Sequence, residues 1–317
     1  MDPIVITDCD HSNFRQETEV IHGAGLDYTL FQCTTEDDLI RSCKGAQVMI
    51  NQYAKLTARV LNALVPELKL IVRYGVGVDN IDVEEATRLG VKVCNVPDYG
   101  MNEVADHAAA LSLSLLRKVT LMNRRTRGNW DYSTSIPIHR LSTLTVGVIG
   151  CGRIGSEFAK RMSAFGCRII GSDIVPRSDF MDGSAPLVPF DTLVRESDLI
   201  LIHCPLMAES RDLFSAETFD KMKPGAYLVN TARGGIVNEQ DLYDALAEGR
   251  IAGAALDVAE REPLDPESPL FTLENFLCTP HMSWYSEEAS EELKRKVAEE
   301  AVNFLSGKPL RYLLNGS

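Results

Sequence analysis

The sequence lacks most of the features that would send a chain to a membrane, a nucleic acid or an oxidising exterior. No apolar run approaches the roughly 20 residues needed to cross a hydrocarbon core. The amino terminus, MDPIVITD, enters a strand pattern directly, with no basic segment leading into an apolar one, so no export signal is expected and the cytoplasm is the expected compartment. Positive charge is scarce: 32 Lys and Arg against 45 Asp and Glu leave a net charge of −13, which argues against a phosphate backbone or an anionic bilayer as partner. One basic cluster (Arg117, Lys118, Arg124, Arg125, Arg127) has no interleaved aromatics and reads as a solvated helix face or a subunit contact. The eight cysteines form no CxxC and no zinc-like spacing, so buried thiols are expected and no metal site. Solenoid repeats and low-complexity tracts are missing as well. What remains is the composition of a globular protein, 45% hydrophobic and 24% charged, with length for two domains.

The most informative stretch is Thr145 to Asp173. A β-branched run, Thr145-Val146-Gly147-Val148-Ile149, reads as a buried parallel strand, and it is followed by Gly150-Cys151-Gly152-Arg153-Ile154-Gly155 and a helical run. Gly150 allows a tight turn, and Gly152 lets a pyrophosphate approach bare backbone at a helix start, where free N–H groups and the dipole favour an anion. Gly155 permits close helix-to-strand packing. Asp173, eighteen residues beyond Gly155, ends the next strand, where a carboxylate can accept both ribose hydroxyls. A plain glycine-rich turn is the alternative, but chance seldom supplies the flanking strand, helix and acid together. A dinucleotide site is therefore expected.

Either side of this stretch, short apolar strands alternate with helices, which implies parallel, doubly wound sheets. Strands are expected at 4–6, 28–31, 47–50, 70–72 and 91–94, then at 199–203, 227–230, 253–258 and 276–280; helices include 36–43, 83–89, 101–117, 216–222, 239–248 and a charged amphipathic helix from Ser286 to Leu305. Residues 118–144 read as irregular and too apolar for a free linker, as if packed on a second subunit.

Polar residues gather where strands end, which in an open parallel sheet is the ligand side. Arg73-Tyr74-Gly75-Val76-Gly77 can present backbone N–H groups to a small carboxylate, although ordinary turn chemistry looks similar. Arg233, between small residues in Asn230-Thr231-Ala232-Arg233-Gly234-Gly235, offers a planar fork of donors suited to a carboxylate; a surface salt bridge is the bland alternative. His281, in Thr279-Pro280-His281, can exchange a proton near neutral pH, and an adjacent carboxylate would orient the ring and favour its charged form. Two acids compete for that place, Glu260 and Glu262, in the run Asp257 to Pro263.

From about Leu68 to Leu305 the chain resembles the D-isomer-specific 2-hydroxyacid dehydrogenases, more loosely over 1–67. Ile71-Val72-Arg73, Val93 to Pro97, Asn230 to Gly235 and the run Pro280-His281-Met282-Ser283-Trp284-Tyr285-Ser286 look like its carboxyl-terminal-binding-protein branch. The resemblance implies an α/β fold of two doubly wound parallel-sheet domains: a Rossmann-type dinucleotide-binding domain (99–285) inserted into a flavodoxin-like substrate domain (1–98 and 286–317). It implies that Arg233 clamps the substrate, that Glu262 rather than Glu260 pairs with His281, and that His281 moves the proton. Val76 and Gly77 would bind the substrate carboxylate, with Trp284 in the pocket. NAD would be held by Gly150, Gly152, Arg153, Ile154, Gly155, Asp173, His203, Cys204, Pro205, Thr231, Ala232, Asp257 and His281.

The family's formate dehydrogenases carry an amide in place of the acid of the pair, so Glu262 speaks against that reaction. The expected activity is NAD-dependent interconversion of a small 2-keto acid and a D-2-hydroxy acid by a homodimer. The alternatives are an NADH-sensing corepressor of the same branch, which would keep the same residues, and an NADP-dependent glyoxylate or hydroxypyruvate reductase. Gly100-Met101-Asn102 departs from the family's hydroxyl-containing turn, and Cys151 occupies a glycine-motif position that is usually apolar.

Overall fold

The computed structural model describes residues 2–316; Met1 and Ser317, which the expected domain bounds include, lie outside the described residues. In chain order the elements begin β1 (Ile4–Ile6), α1 (Arg15–Gly23), β2 (Tyr28–Leu30), α2 (Glu36–Ser42), β3 (Val48–Asn51), α3 (Ala58–Leu64), β4 (Leu70–Arg73), α4 (Val83–Arg88) and β5 (Lys92–Cys94). They continue with α5 (Met101–Leu116), α6 (Val119–Arg125), β6 (Thr145–Ile149), α7 (Arg153–Ala164), β7 (Arg168–Ser172), α8 (Phe190–Glu196), β8 (Leu199–Ile202) and α9 (Ala216–Lys221). The last are β9 (Tyr227–Asn230), α10 (Glu239–Ala247), β10 (Gly253–Leu256), β11 (Phe276–Cys278) and α11 (Glu287–Leu305). The chain divides into two compact units, residues 1–100 with 286–317, and residues 101–285.

The first unit is a five-stranded parallel sheet in the order β2-β1-β3-β4-β5, the flavodoxin-like order. Its middle strands, IVI, VMIN and LIVR, are apolar on both faces because helices cover both, and Val5, Met49, Ile71 and Val93 join Leu39, Val60 and Leu64 in one core. The chain returns to this unit at Ser286, whose side chain caps α11 by accepting the Ala289 N–H at 2.9 Å. α11 packs on α1, and Lys296 on its inner side pairs with Asp98 at 2.7 Å. Tyr312 donates to the same carboxylate, and Asn315 accepts the Val93 N–H at 2.8 Å, so the tail is bonded to the edge of the sheet.

The second unit is a six-stranded parallel sheet in the order β11-β10-β9-β8-β6-β7, with an apolar core on each face. Beyond β7, Leu187 makes a single parallel bridge to Gly171. Counting that residue as a vestigial third strand restores the Rossmann order, with the change of direction at β6. Residues 118–144 are not wholly irregular: α6 occupies Val119–Arg125, followed by two short 3-10 turns. Among the described residues no helix is long and apolar enough to cross a membrane.

Candidate active site

The turn from β6 into α7 is built as its glycines require. Gly150 has φ +87°, and a Cβ there would lie 2.5 Å from the Cys204 nitrogen, so the turn rests directly on the segment that follows β8. A Cβ on Gly155 would lie 2.2 Å from the Gly150 carbonyl oxygen. Gly152, the N-cap residue of α7, has open space where its Cβ would be, which leaves the helix start bare for an anion. Arg153 is exposed and Ile154 half-buried in the first turn.

Asp173 stands at the end of β7, mostly buried, and faces this turn. Its carboxylate accepts the Cys151 N–H at 2.8 Å and the Val175 N–H at 3.0 Å, and Arg177 approaches at 3.4 Å. Burial, with Asp173 adding to it, pushes the Cys151 thiol up to about 12, so it remains an inert neutral side chain. Past β8, the enclosed Nε2 of His203 has no hydrogen-bond partner, and burial lowers the imidazole to about 4, leaving it neutral. Past β9, the buried Thr231 hydroxyl likewise lacks a partner. A bare helix start, an acid at the neighbouring strand end and two enclosed polar atoms awaiting partners fit a dinucleotide. Cys204 is half-buried and Pro205 exposed in the same segment, and Ala232 follows Thr231.

The turn after β9 is tied by Asn230, whose fully buried side-chain amide donates to the Arg233 carbonyl at 2.8 Å and accepts the Ala232 N–H at 3.0 Å. This places Arg233, one of whose guanidinium nitrogens donates to the Ala232 carbonyl at 2.8 Å. A Cβ on Gly234 would lie 1.9 Å from the Ala259 carbonyl, so this turn packs against the backbone that leads to Glu262.

Glu262 and His281 meet: Oε2 of the acid lies 2.6 Å from Nδ1 of the ring, while Oε1 accepts the Ala259 N–H at 3.1 Å. Burial works to raise the Glu262 carboxyl, but the His281 hydrogen bond and charge, then the Ala259 N–H and Arg233, hold it below the ordinary range. Both side chains stay about a third exposed, at 33% for His281 and 39% for Glu262, so the outer edge of the ring is reachable. Glu260 is engaged elsewhere, exchanging two hydrogen bonds with Glu239 at the start of α10. His281 itself sits at φ +50°, a conformation a non-glycine residue keeps only where its surroundings impose it.

Asp257 does the imposing. It is buried, its carboxylate accepts the Thr279 hydroxyl at 2.6 Å and the N–H groups of Met282 and Ser283 at 3.0 and 2.9 Å, and its carbonyl accepts the His281 N–H at 2.8 Å. Nothing in the local sequence marks this duty, because the bonds reach 22 to 26 residues ahead. Trp284 packs edge-to-face on Tyr285 at 5.6 Å between centroids.

In the first unit, the turn after β4 has Gly75 at φ +132°, where a Cβ would collide with the Arg73 guanidinium. Asn95 donates to the Val76 carbonyl at 2.7 Å and Val96 to the Gly75 carbonyl at 2.9 Å, so the loop holding Val76 and Gly77 is fixed from behind. Val76 is 42% exposed.

Residues 109–283 match the model of the NAD-binding domain of the D-isomer-specific 2-hydroxyacid dehydrogenases. The chain is 39% identical over 294 residues to a D-3-phosphoglycerate dehydrogenase of Archaeoglobus fulgidus, covering 92% of this chain and 55% of that one. It therefore spans about half the length of that relative. It is also 39% identical to a glyoxylate reductase of Korarchaeum cryptofilum, over 79% of this chain and 77% of that protein. The crystal structure of a D-lactate dehydrogenase of Aquifex aeolicus, complexed with NAD and lactic acid, superposes with a TM-score of 0.88 at 28% identity, covering 99% of each chain.

Proposed function

Because the chain belongs to the family of D-isomer-specific 2-hydroxyacid dehydrogenases, we propose that it interconverts a small 2-keto acid and the corresponding D-2-hydroxy acid with NAD. The observation that carries this reading is the 2.6 Å contact between Glu262 and His281. Since Nδ1 faces the acid, Nε2 is the ring atom left to give a proton to the substrate oxygen or to take one back. Glu262 fixes the ring's tautomer and orientation.

When bound, the nicotinamide supplies the hydride for reduction or accepts it in oxidation. Arg233 holds the substrate carboxylate and opposes the negative charge that develops on the reacting oxygen. The assignments of Val76 and Gly77 to the carboxylate and Trp284 to the substrate pocket belong to this proposal. So does Asp257 as a partner of the nicotinamide carboxamide, with three acceptor positions of its carboxylate already in use. The test is NADH oxidation with a panel of 2-keto acids; no turnover on any of them would remove the activity and favour an NADH-sensing binding protein. The carboxyl-terminal-binding-protein branch rests on Ile71 to Arg73, Val93 to Pro97, Asn230 to Gly235 and above all Pro280 to Ser286, and the homodimer and cytoplasmic location are proposed with it.

NADH is expected to be preferred over NADPH. A 2′-phosphate would meet the Asp173 carboxylate, a like-charge contact worth several kcal/mol, and Arg177 at 3.4 Å offsets part of that. The kcat/KM ratio should favour NADH by at least about tenfold, each tenfold being about 1.4 kcal/mol. Equal values for the two cofactors would contradict the assignment of Asp173.

Trp284→Ala is expected to raise KM most for the longer keto acids, because an indole offers a broad apolar face that a small substrate leaves uncovered. A uniform change across a series of chain lengths would show that the ring serves only packing.

A further inference from the structure

His107 lies on the second turn of α5, 20% exposed, and its Nε2 is 3.0 Å from the Thr279 hydroxyl oxygen and 3.7 Å from Oδ1 of Asp257. The hydrogen bonds around Thr279 define the roles of all three groups. Thr279 has one hydroxyl proton, and it is spent on the Asp257 carboxylate at 2.6 Å, which can only accept. The hydroxyl oxygen must then accept from His107, so the imidazole carries its proton on Nε2. A directed chain results, from His107 Nε2–H to the Thr279 hydroxyl to Asp257. Asp257 in turn holds the N–H groups of Met282 and Ser283 through its side chain, and that of His281 through its carbonyl. Loop 279–283 keeps His281 at a positive φ, so it would relax if these bonds were loosened.

We propose that His107 is a positioning residue, which orients the Thr279 hydroxyl onto Asp257 and so holds His281 at its hydrogen bond with Glu262. The proposal rests on the reading of His281 as the proton donor. Without the His107 donor the Thr279 hydroxyl is free to turn toward other acceptors, Asp257 loses its shortest bond, and the ring of His281 gains freedom where a small misplacement is costly. His107 takes no part in the proton transfer itself.

The experiment compares His107→Phe, His107→Asn and His107→Gln in steady-state reduction of the best 2-keto acid, with NADH affinity measured separately by fluorescence quenching. The glutamine amide reaches about as far as Nε2 and can donate to Thr279; the asparagine amide is the same group on a shorter stem. His107→Asn and His107→Phe should lower kcat by about tenfold and move the pH limb of kcat/KM to lower pH, the direction in which Glu262→Gln moves it, with NADH affinity close to wild type. His107→Gln should stay within about threefold of wild type with its limb in place. Thr279→Val should produce the same loss, and adding His107→Asn to it should cost nothing more. Equal activity of the Gln and Asn variants, additive losses, or a pH limb that His107→Asn leaves in place would each overturn the proposal, whether or not His107→Phe folds. His281→Ala serves as the reference: if it kept full activity the functional reading itself would fail, whereas an inactive His281→Ala beside a fully active His107→Asn would remove only the role of His107.

Discussion

His281→Ala is expected to lower kcat/KM for keto-acid reduction by about 10²–10⁴-fold, the usual contribution of a positioned general acid. The loss should fall on kcat, because the proposed use of the ring comes as charge develops on the substrate oxygen and not in holding the ground state. NADH affinity should change little even though His281 is itself among the residues expected to hold NAD, since the glycine turn, Asp173 and the segment after β8 do not depend on the ring. His281 is also partly exposed, so its removal opens no core cavity and the melting temperature should be close to wild type. A variant that retains more than about a tenth of wild-type kcat would show that water or another group delivers the proton.

Arg233→Lys is the second large effect. The Asn230 amide and the Gly234–Ala259 contact fix the backbone on either side of Arg233, so its guanidinium projects from a defined place. A lysine keeps the charge but not the planar fork that can meet a carboxylate and a developing oxyanion together. The expected loss in kcat/KM is about 10²–10³-fold, comparable to removing one oxyanion donor, with KM for the keto acid rising as kcat falls. Arg233 also helps to keep the Glu262 carboxyl ionised, and lysine preserves that part. A variant with only KM raised would mean that Arg233 binds ground state and transition state alike.

The glycine turn and both sheets were legible in the sequence because each is signalled locally. β6 to β7 has a β-branched run, the three glycines of the turn (Gly150, Gly152 and Gly155) and a terminal acid within one span, and α2, α4, α10 and α11 each begin at a residue whose side chain caps the helix: Thr35, Asp82, Asn238 and Ser286. α6 escaped because its N-cap position is Lys118 at φ +53° with no side-chain cap, and α8 because it begins at Pro189, also uncapped. The third strand of the second sheet, reduced to Leu187, is too short to leave a period.

Within the site, individual residue types could be read but their partners could not. Residue type and spacing alone leave Glu260 and Glu262 equivalent, and it is the family resemblance that names Glu262; in the structure Glu239 engages Glu260, while Glu262 lies 2.6 Å from His281. Asp257 and His107 hold the loop of His281 through contacts 22 and 172 residues distant in sequence, and Asn230 works through a buried amide that nothing beside it announces.

The pH dependence of kcat/KM for wild type and Glu262→Gln tests the pairing of Glu262 with His281 most directly. Glutamine keeps the shape and a hydrogen bond but removes the negative charge that faces the ring. On the proposed mechanism the charged ring is the donor in reduction and the neutral ring the acceptor in oxidation, so one proton site governs both limbs. Losing the negative partner should move both limbs to lower pH, with a smaller loss of activity than His281→Ala causes. A limb that stays where it is in wild type would show that Glu262 is not coupled to the proton-transferring group, and would contradict the account.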